Sequence, residues 1–224
     1  HLKSEKKGST FKDISDSRIA NIINTLQSYS KKSIIDNYTI EAAGVTQAMV
    51  DEAQGIVDEL ANRISYSQRN IQVESNNELL LELYKIIPRK MKKVSDHLIS
   101  HDHDIKYVQS LIDNEQKTLD VMAQQVKMNV SSDDNSKSIL DILGITIEHI
   151  DDNDKQIILK EMGPEAGRFK SAYKVTDITT QPKYDKFIKD EAVKHWSKLL
   201  WHGSRNENWL NILQTGLLIR PAGA

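Results

Sequence analysis

The chain has 224 residues, 30 basic and 32 acidic side chains and a net charge of −2. That length allows one or two domains with a sizeable core, and the balanced charge offers no electrostatic footprint for nucleic acid. No cysteine is present, which excludes disulfides, thiol catalysis and cysteine-ligated zinc. No apolar run approaches the twenty residues of a membrane-spanning helix, and no signal peptide is read. The chain starts at His1 rather than at Met, and the expectation is a piece of a larger intracellular protein.

Residues 1–13 are polar and Lys-rich and read as a linker. Ile19, Ile22, Ile23 and Leu26 form an amphipathic helix stripe, and Ile34, Ile35 and Tyr38 suggest a second, short helix. Thr46 is placed to cap a third, with Met49, Val50, Ala53, Ile56, Val57, Leu60 and Ile64 on one face. Ser75 and Glu78 have the spacing of a capping box for a fourth helix, rich in Leu79, Leu80, Leu83, Ile86 and Ile87 and stopped by Pro88. Ile105, Val108, Ile112, Leu119, Met122 and Val126 mark a long last helix. Short connections between such helices imply an antiparallel bundle.

Ser131 to Ser138 breaks the helical pattern and marks a boundary or an exposed loop. Beyond it the pattern turns toward β structure, with alternation at Ile145, Ile147 and His149 and again at Phe169, Tyr173 and Val175. Gly163-Pro164 reads as the turn between them. His97, His101 and His103 cluster with Asp96, Asp102 and Asp104, but no zinc motif accompanies them, and the stretch reads as a solvated loop. Lys31-Lys32 and Lys90 to Lys93 read as solvated helix ends.

The richest chemistry lies near the C-terminal end. Leu199, Leu200 and Trp201 form a short apolar run that fits a buried strand. His202-Gly203 follows, the glycine permitting close ligand approach. Ser204 to Glu207 has the form of a capping box, Trp209, Ile212 and Leu213 recur at helical spacing, and Gly216 stands at a C-cap position. Leu217-Leu218-Ile219 would begin another strand. His202 and Gly203 thus sit between a strand end and a helix start, a usual place for ligand contacts.

This segment resembles the donor-binding signature of the poly(ADP-ribose) polymerases. Ala172-Tyr173 and the strand to Ile178 look like the family strand that leads toward the donor site, Tyr184, Lys186 and Phe187 like its Tyr-Lys-Pro-Phe segment, and Gly144 to Asp151 like its first strand. Upstream, Leu83-Tyr84-Lys85-Ile86-Ile87-Pro88 is similar to a Tyr-Thr-Leu-Ile-Pro helix end of the family's regulatory domain. The resemblance implies an α+β protein: a linker over 1–13, a helical regulatory bundle over 14–136, and over 137–224 the start of a mixed α/β ADP-ribosyltransferase domain. It implies NAD as ADP-ribose donor, no metal, and transfer to protein acceptors including the protein itself. DNA would be met only through domains outside this chain, in a DNA-damage response. The compartment would be nuclear in a eukaryote or cytoplasmic in a bacterium, with no membrane.

The resemblance also implies residue roles. His202, the catalytic-site clamp, would bond the adenosine ribose hydroxyls; Gly203 would bond the nicotinamide amide through its backbone; Ser204 and Asn208 would contact the adenosine side. Cleavage of the nicotinamide–ribose bond passes through an oxocarbenium-like state, which needs clamps on the donor and a nearby carboxylate. Two departures stand out. Leu218 occupies the place of a family Arg, with Arg220 two residues on. The family's catalytic Tyr and Glu come later than Ala224, so little or no NAD turnover is expected of this polypeptide alone. A non-catalytic helical interaction module and a mono-ADP-ribosyltransferase are the alternative readings.

Overall fold

The computed structural model describes residues 11–66, 70–130, 135–189 and 197–218. Most of the linker, Asp133-Asp134, Ile219 and Arg220 lie outside them. The architecture is α+β and mostly helical, with one small antiparallel sheet among the described residues.

Helix α1 spans Ser17–Asn37 without interruption. The second short helix expected around Ile34 is its last turns, because Ile19, Ile23, Ser30 and Ile34 all fall on one buried face. Asp16 caps it, its carboxylate accepting from the N–H groups of Arg18 and Ile19 at 2.9 and 3.1 Å. Helix α2 spans Gln47–Tyr66, and the Thr46 hydroxyl accepts from Met49 N–H at 3.2 Å as its cap. Helix α3 spans Val73–Ile86. It starts two residues before the expected capping box, and the Ser75 hydroxyl instead accepts from the Arg63 guanidinium at 2.8 Å. Its end before Pro88 is as expected, since the ring cannot continue the backbone ladder. Helix α4 spans Ile105–Val130, and the Asp104 carboxylate accepts from Tyr107 N–H at 2.8 Å.

Helix α2 packs on α3 and α4, and α1 packs on α4. The main core gathers Val57, Leu60, Leu80, Val108 and Met122, all nearly inaccessible, with Ile34 and Tyr38 from the end of α1. Inside it Arg89 pairs with Glu115, both side chains about nine-tenths buried. The Arg89 guanidinium also donates to Asn37 O at 3.1 Å and lies 5.3 Å from the Tyr38 ring centroid. Burial pushes the Glu115 carboxyl up, and Arg89 pulls it back. A small pocket adjoins the pair, lined by Tyr38, Ala53, Leu83 and Leu119 among others.

The short helix α5, Ile139–Leu143, opens with a complete Ser138–Asp141 capping box and closes on Gly144 at φ 70°. Strand β1, Ile145–His149, pairs antiparallel with β2, Tyr173–Asp177, in the register Ile145 opposite Asp177 and His149 opposite Tyr173. Between them lies a helix the alternation did not signal, α6, Asp152–Met162, capped by Asp151. Gly163–Arg168 is a 3₁₀ turn, and Phe169 falls outside the strand. Helix α7 spans Gln181–Phe187, and helix α8 spans Trp209–Thr215. A second, smaller core gathers Ile23 of α1, Met128 of α4, Leu143, Ile145 and Leu210 of α8. α1 and α4 therefore contribute to both cores.

Candidate functional site

The segment around His202 is built in two halves of opposite character. Its first half has no regular structure: the strand expected at Leu199 to Trp201 does not form, and these three side chains are 86%, 87% and 70% exposed. A strand needs a hydrogen-bonded neighbour, and among the described residues the sheet contains β1 and β2 alone. Leu217 and Leu218 are likewise exposed and outside any strand.

The second half is anchored. Asn206–Asn208 forms a 3₁₀ turn that runs directly into α8. Leu210 is 1% exposed and belongs to the smaller core. Helix α8 ends on Gly216 at φ 72°, whose N–H bonds Ile212 O at 2.8 Å; a left-handed residue at this place favours glycine, as expected. The expected capping box at Ser204 and Glu207 does not form. The Ser204 hydroxyl accepts from the Asn208 side-chain amide at 3.3 Å, and Glu207 lies 4.0 Å from the Arg205 guanidinium.

His202 and Gly203 are exposed, and Ser204 and Asn208 are half-buried. The imidazole of His202 meets the Trp209 ring edge-on, with centroids 6.2 Å apart. A Cβ built on Gly203 would meet no atom within 4 Å, so the space over its backbone is open. These four residues are thus gathered on one turn. An exposed imidazole and an unobstructed peptide beside it fit the clamping of a polar ligand. Ser204 and Asn208 bond each other and would exchange that partner to hold one. Among the described residues no group of three or more His, Asp or Glu side chains gathers around a common point. In the His97 to His103 stretch the contacts are pairwise: His101 with Glu74 at 3.1 Å, and His103 Nδ1 accepting from Ser100 N–H at 3.1 Å.

Sequence reasoning missed the residues that hold this turn. The Ser30 hydroxyl of α1 donates to Glu207 O at 3.2 Å. The Gln124 amide of α4 donates to Gln214 Oε1 at 3.4 Å, and Gln214 in turn donates to Ile142 O at 3.5 Å. The one available signal was a polar residue inside the apolar stripe of α1. A further link joins α1 to the sheet, His149 Nε2 lying 2.7 Å from the Asp16 carboxylate.

Comparison with known proteins bears on the same segment. Residues 153–224 match the sequence model of the family described as poly(ADP-ribose) polymerase catalytic domain. The matched stretch encloses Tyr173 to Ile178, Tyr184 to Phe187 and the whole of Leu199 to Leu218, so the resemblance is supported over this part of the chain. The chain is also similar to the uncharacterized protein 101L of Invertebrate iridescent virus 6, with 31% identity over 131 residues. That alignment takes in 58% of this chain and 53% of the viral protein, so the chain spans about half the length of this curated relative.

Proposed function

We propose that the protein is an NAD-dependent ADP-ribosyltransferase whose donor clamp is the His202–Asn208 turn. The observation that carries this reading is the family match over residues 153–224, in which an exposed His202 stands beside the open backbone of Gly203. His202 would hold the adenosine ribose hydroxyls through its ring nitrogens. Gly203 would hold the nicotinamide amide through its own N–H and C=O, an approach that a side chain would crowd. Ser204 and Asn208 would face the adenosine side. Holding both ends of the donor aligns the nicotinamide–ribose bond for cleavage, a contribution of orientation rather than of covalent chemistry. The charge that develops on the ribose needs a carboxylate nearby. In this reading that carboxylate, and the Tyr that accompanies it in the family, belong to chain beyond Ala224.

Residues 14–136 would then be a regulatory domain that limits donor access, and 137–224 the first part of the catalytic domain. Acceptors would be proteins, including the enzyme itself, and broken DNA would act through other domains of the whole protein. The packing of α1 and α4 against both α8 and the helical core supports this assignment, because motion in the bundle then reaches the donor turn directly. The test is incorporation of labelled ADP-ribose by the full-length protein, with and without residues 14–136. Deletion should raise basal incorporation; unchanged or abolished incorporation would count against the regulatory assignment.

A further inference from the structure

Helix α8 divides its apolar side chains between two tasks. Leu210 and Leu213 pack into the smaller core with Ile23 and Met128. Trp209, the first residue of the helix and half-buried, is not among the side chains gathered there. A half-buried aromatic usually contributes its area to a core. The indole instead meets the imidazole of His202, with ring centroids 6.2 Å apart and planes at 79°. That is the near-perpendicular arrangement in which aromatic rings attract, the positive edge of one against the negative face of the other.

His202 has little else to hold it. Residues 197–205 carry no regular structure, and His202 is exposed. Among the described residues no hydrogen bond or ion pair engages its ring nitrogens, and Trp209 is the one ring it touches. An exposed side chain on irregular backbone samples several rotamers. A ligand that must stop that motion binds more weakly. Trp209 is itself firmly placed: its backbone is helical, at φ −64° and ψ −36°, and the next residue, Leu210, is 1% exposed. The indole has only two side-chain torsions to fix. It therefore carries the rigidity of the docked helix to the imidazole.

We propose that Trp209 is a positioning residue that fixes the imidazole of His202 in the orientation that receives the donor. The effect on NAD rests on the donor-clamp reading given above, but the ring contact is a property of the fold. Trp209 acts through His202 and touches no substrate.

The experiment compares the full-length protein with Trp209→Leu, Trp209→Phe, His202→Ala and the double variant Trp209→Leu with His202→Ala. NMR of histidine-labelled protein follows the ring contact, the His202 signals being those missing in His202→Ala. Labelled incorporation gives KM and kcat for NAD. Calorimetry gives the affinity for ADP-ribose, which carries the adenosine ribose and is not consumed. Trp209→Leu should move the His202 ring signals and raise KM roughly two- to tenfold. With kcat held, that is the mark of binding lost equally from ground and transition states. Trp209→Phe keeps an aromatic edge and face and should restore KM to within about twofold of the parent. ADP-ribose affinity should fall in Trp209→Leu by the factor by which KM rises. It should fall no further when the same change is made on His202→Ala, because the two residues act as one unit. Unmoved His202 signals, an unmoved KM, or Trp209→Phe as damaging as Trp209→Leu would overturn the proposal. An equal loss of ADP-ribose affinity on both backgrounds would overturn it too and leave Trp209 a support for the helix. Moved signals with neither ADP-ribose binding nor incorporation by the parent would uphold the ring contact and overturn the donor-clamp reading instead.

Discussion

The pair of Arg89 and Glu115 offers the sharpest stability test of the helical core. Both side chains are about nine-tenths buried. Replacing Glu115 by Ala leaves the Arg89 charge enclosed beside Tyr38, Leu83, Ile87 and Leu119. Stranding a buried charge costs about 3–5 kcal/mol. For a chain of this size each kcal/mol moves the melting point by about 2–4 °C, so Glu115→Ala should melt roughly 10 °C lower. The double variant Arg89→Met with Glu115→Leu removes both charges and keeps the volume, and should recover most of that loss, within about 1 kcal/mol of the parent. It gives up the Arg89 bond to Asn37 O, but Lys90 N–H still satisfies that carbonyl at 2.8 Å. Urea and thermal unfolding followed by circular dichroism measure all three proteins. A Glu115→Ala cost below about 1 kcal/mol would mean that the pair is solvated, and the account of the core would fail.

Further predictions concern the smaller core, the turn and the acid limit. Leu210→Ala removes a side chain 1% exposed and should cost about 2–5 kcal/mol in urea unfolding; a cost near zero would mean that α8 is not docked. Gly203→Ala should leave stability unchanged, since its Cβ would meet nothing within 4 Å, yet abolish NAD-dependent incorporation; retained incorporation would remove Gly203 from the clamp. The carboxyls of Asp16, Asp141 and Asp177 are each held below the ordinary value of 3.8, chiefly by His149, by Ser138 N–H and by Thr180 N–H respectively. A depressed carboxyl pKa contributes stability above the unfolded value, and that contribution is lost as pH falls through the folded one. The contribution of these three carboxyls should therefore be constant above the ordinary carboxyl range and be lost as pH falls below it, with a smaller loss in Asp16→Asn; an identical acid limb in that variant would contradict the role of the His149 contact.

Much of the helical part was legible because long apolar stripes at helical spacing have few alternatives. Val50, Ala53, Val57, Leu60 and Ile64 on α2 and Val108, Ile112, Leu119, Met122 and Val126 on α4 are buried as their spacing requires. Thr46 and Pro88 act where local chemistry places them. The failures came where a long-range partner decides. The continuity of α1 was hidden by Ser30, a polar residue at a core position whose reason is Glu207, 177 positions away. The Ser75 hydroxyl went to Arg63 rather than to its own helix. Helix α6 was missed because its apolar residues Ile157 and Ile158 are not buried and leave no strong stripe. At the candidate site the turn, the helix and the Gly216 cap were readable from local signals. The exposed state of Leu199 to Trp201 was not, since strand formation depends on a neighbour that no local pattern names.

The most direct measurement is ADP-ribose incorporation from labelled NAD by the full-length protein, with His202→Ala beside it and broken DNA present or absent. His202 is exposed, so its replacement should leave folding intact, and the account predicts incorporation by the parent that is lost in the variant. No incorporation by the parent under either condition, or equal incorporation by the variant, would contradict the assignment of the His202–Asn208 turn as the donor clamp.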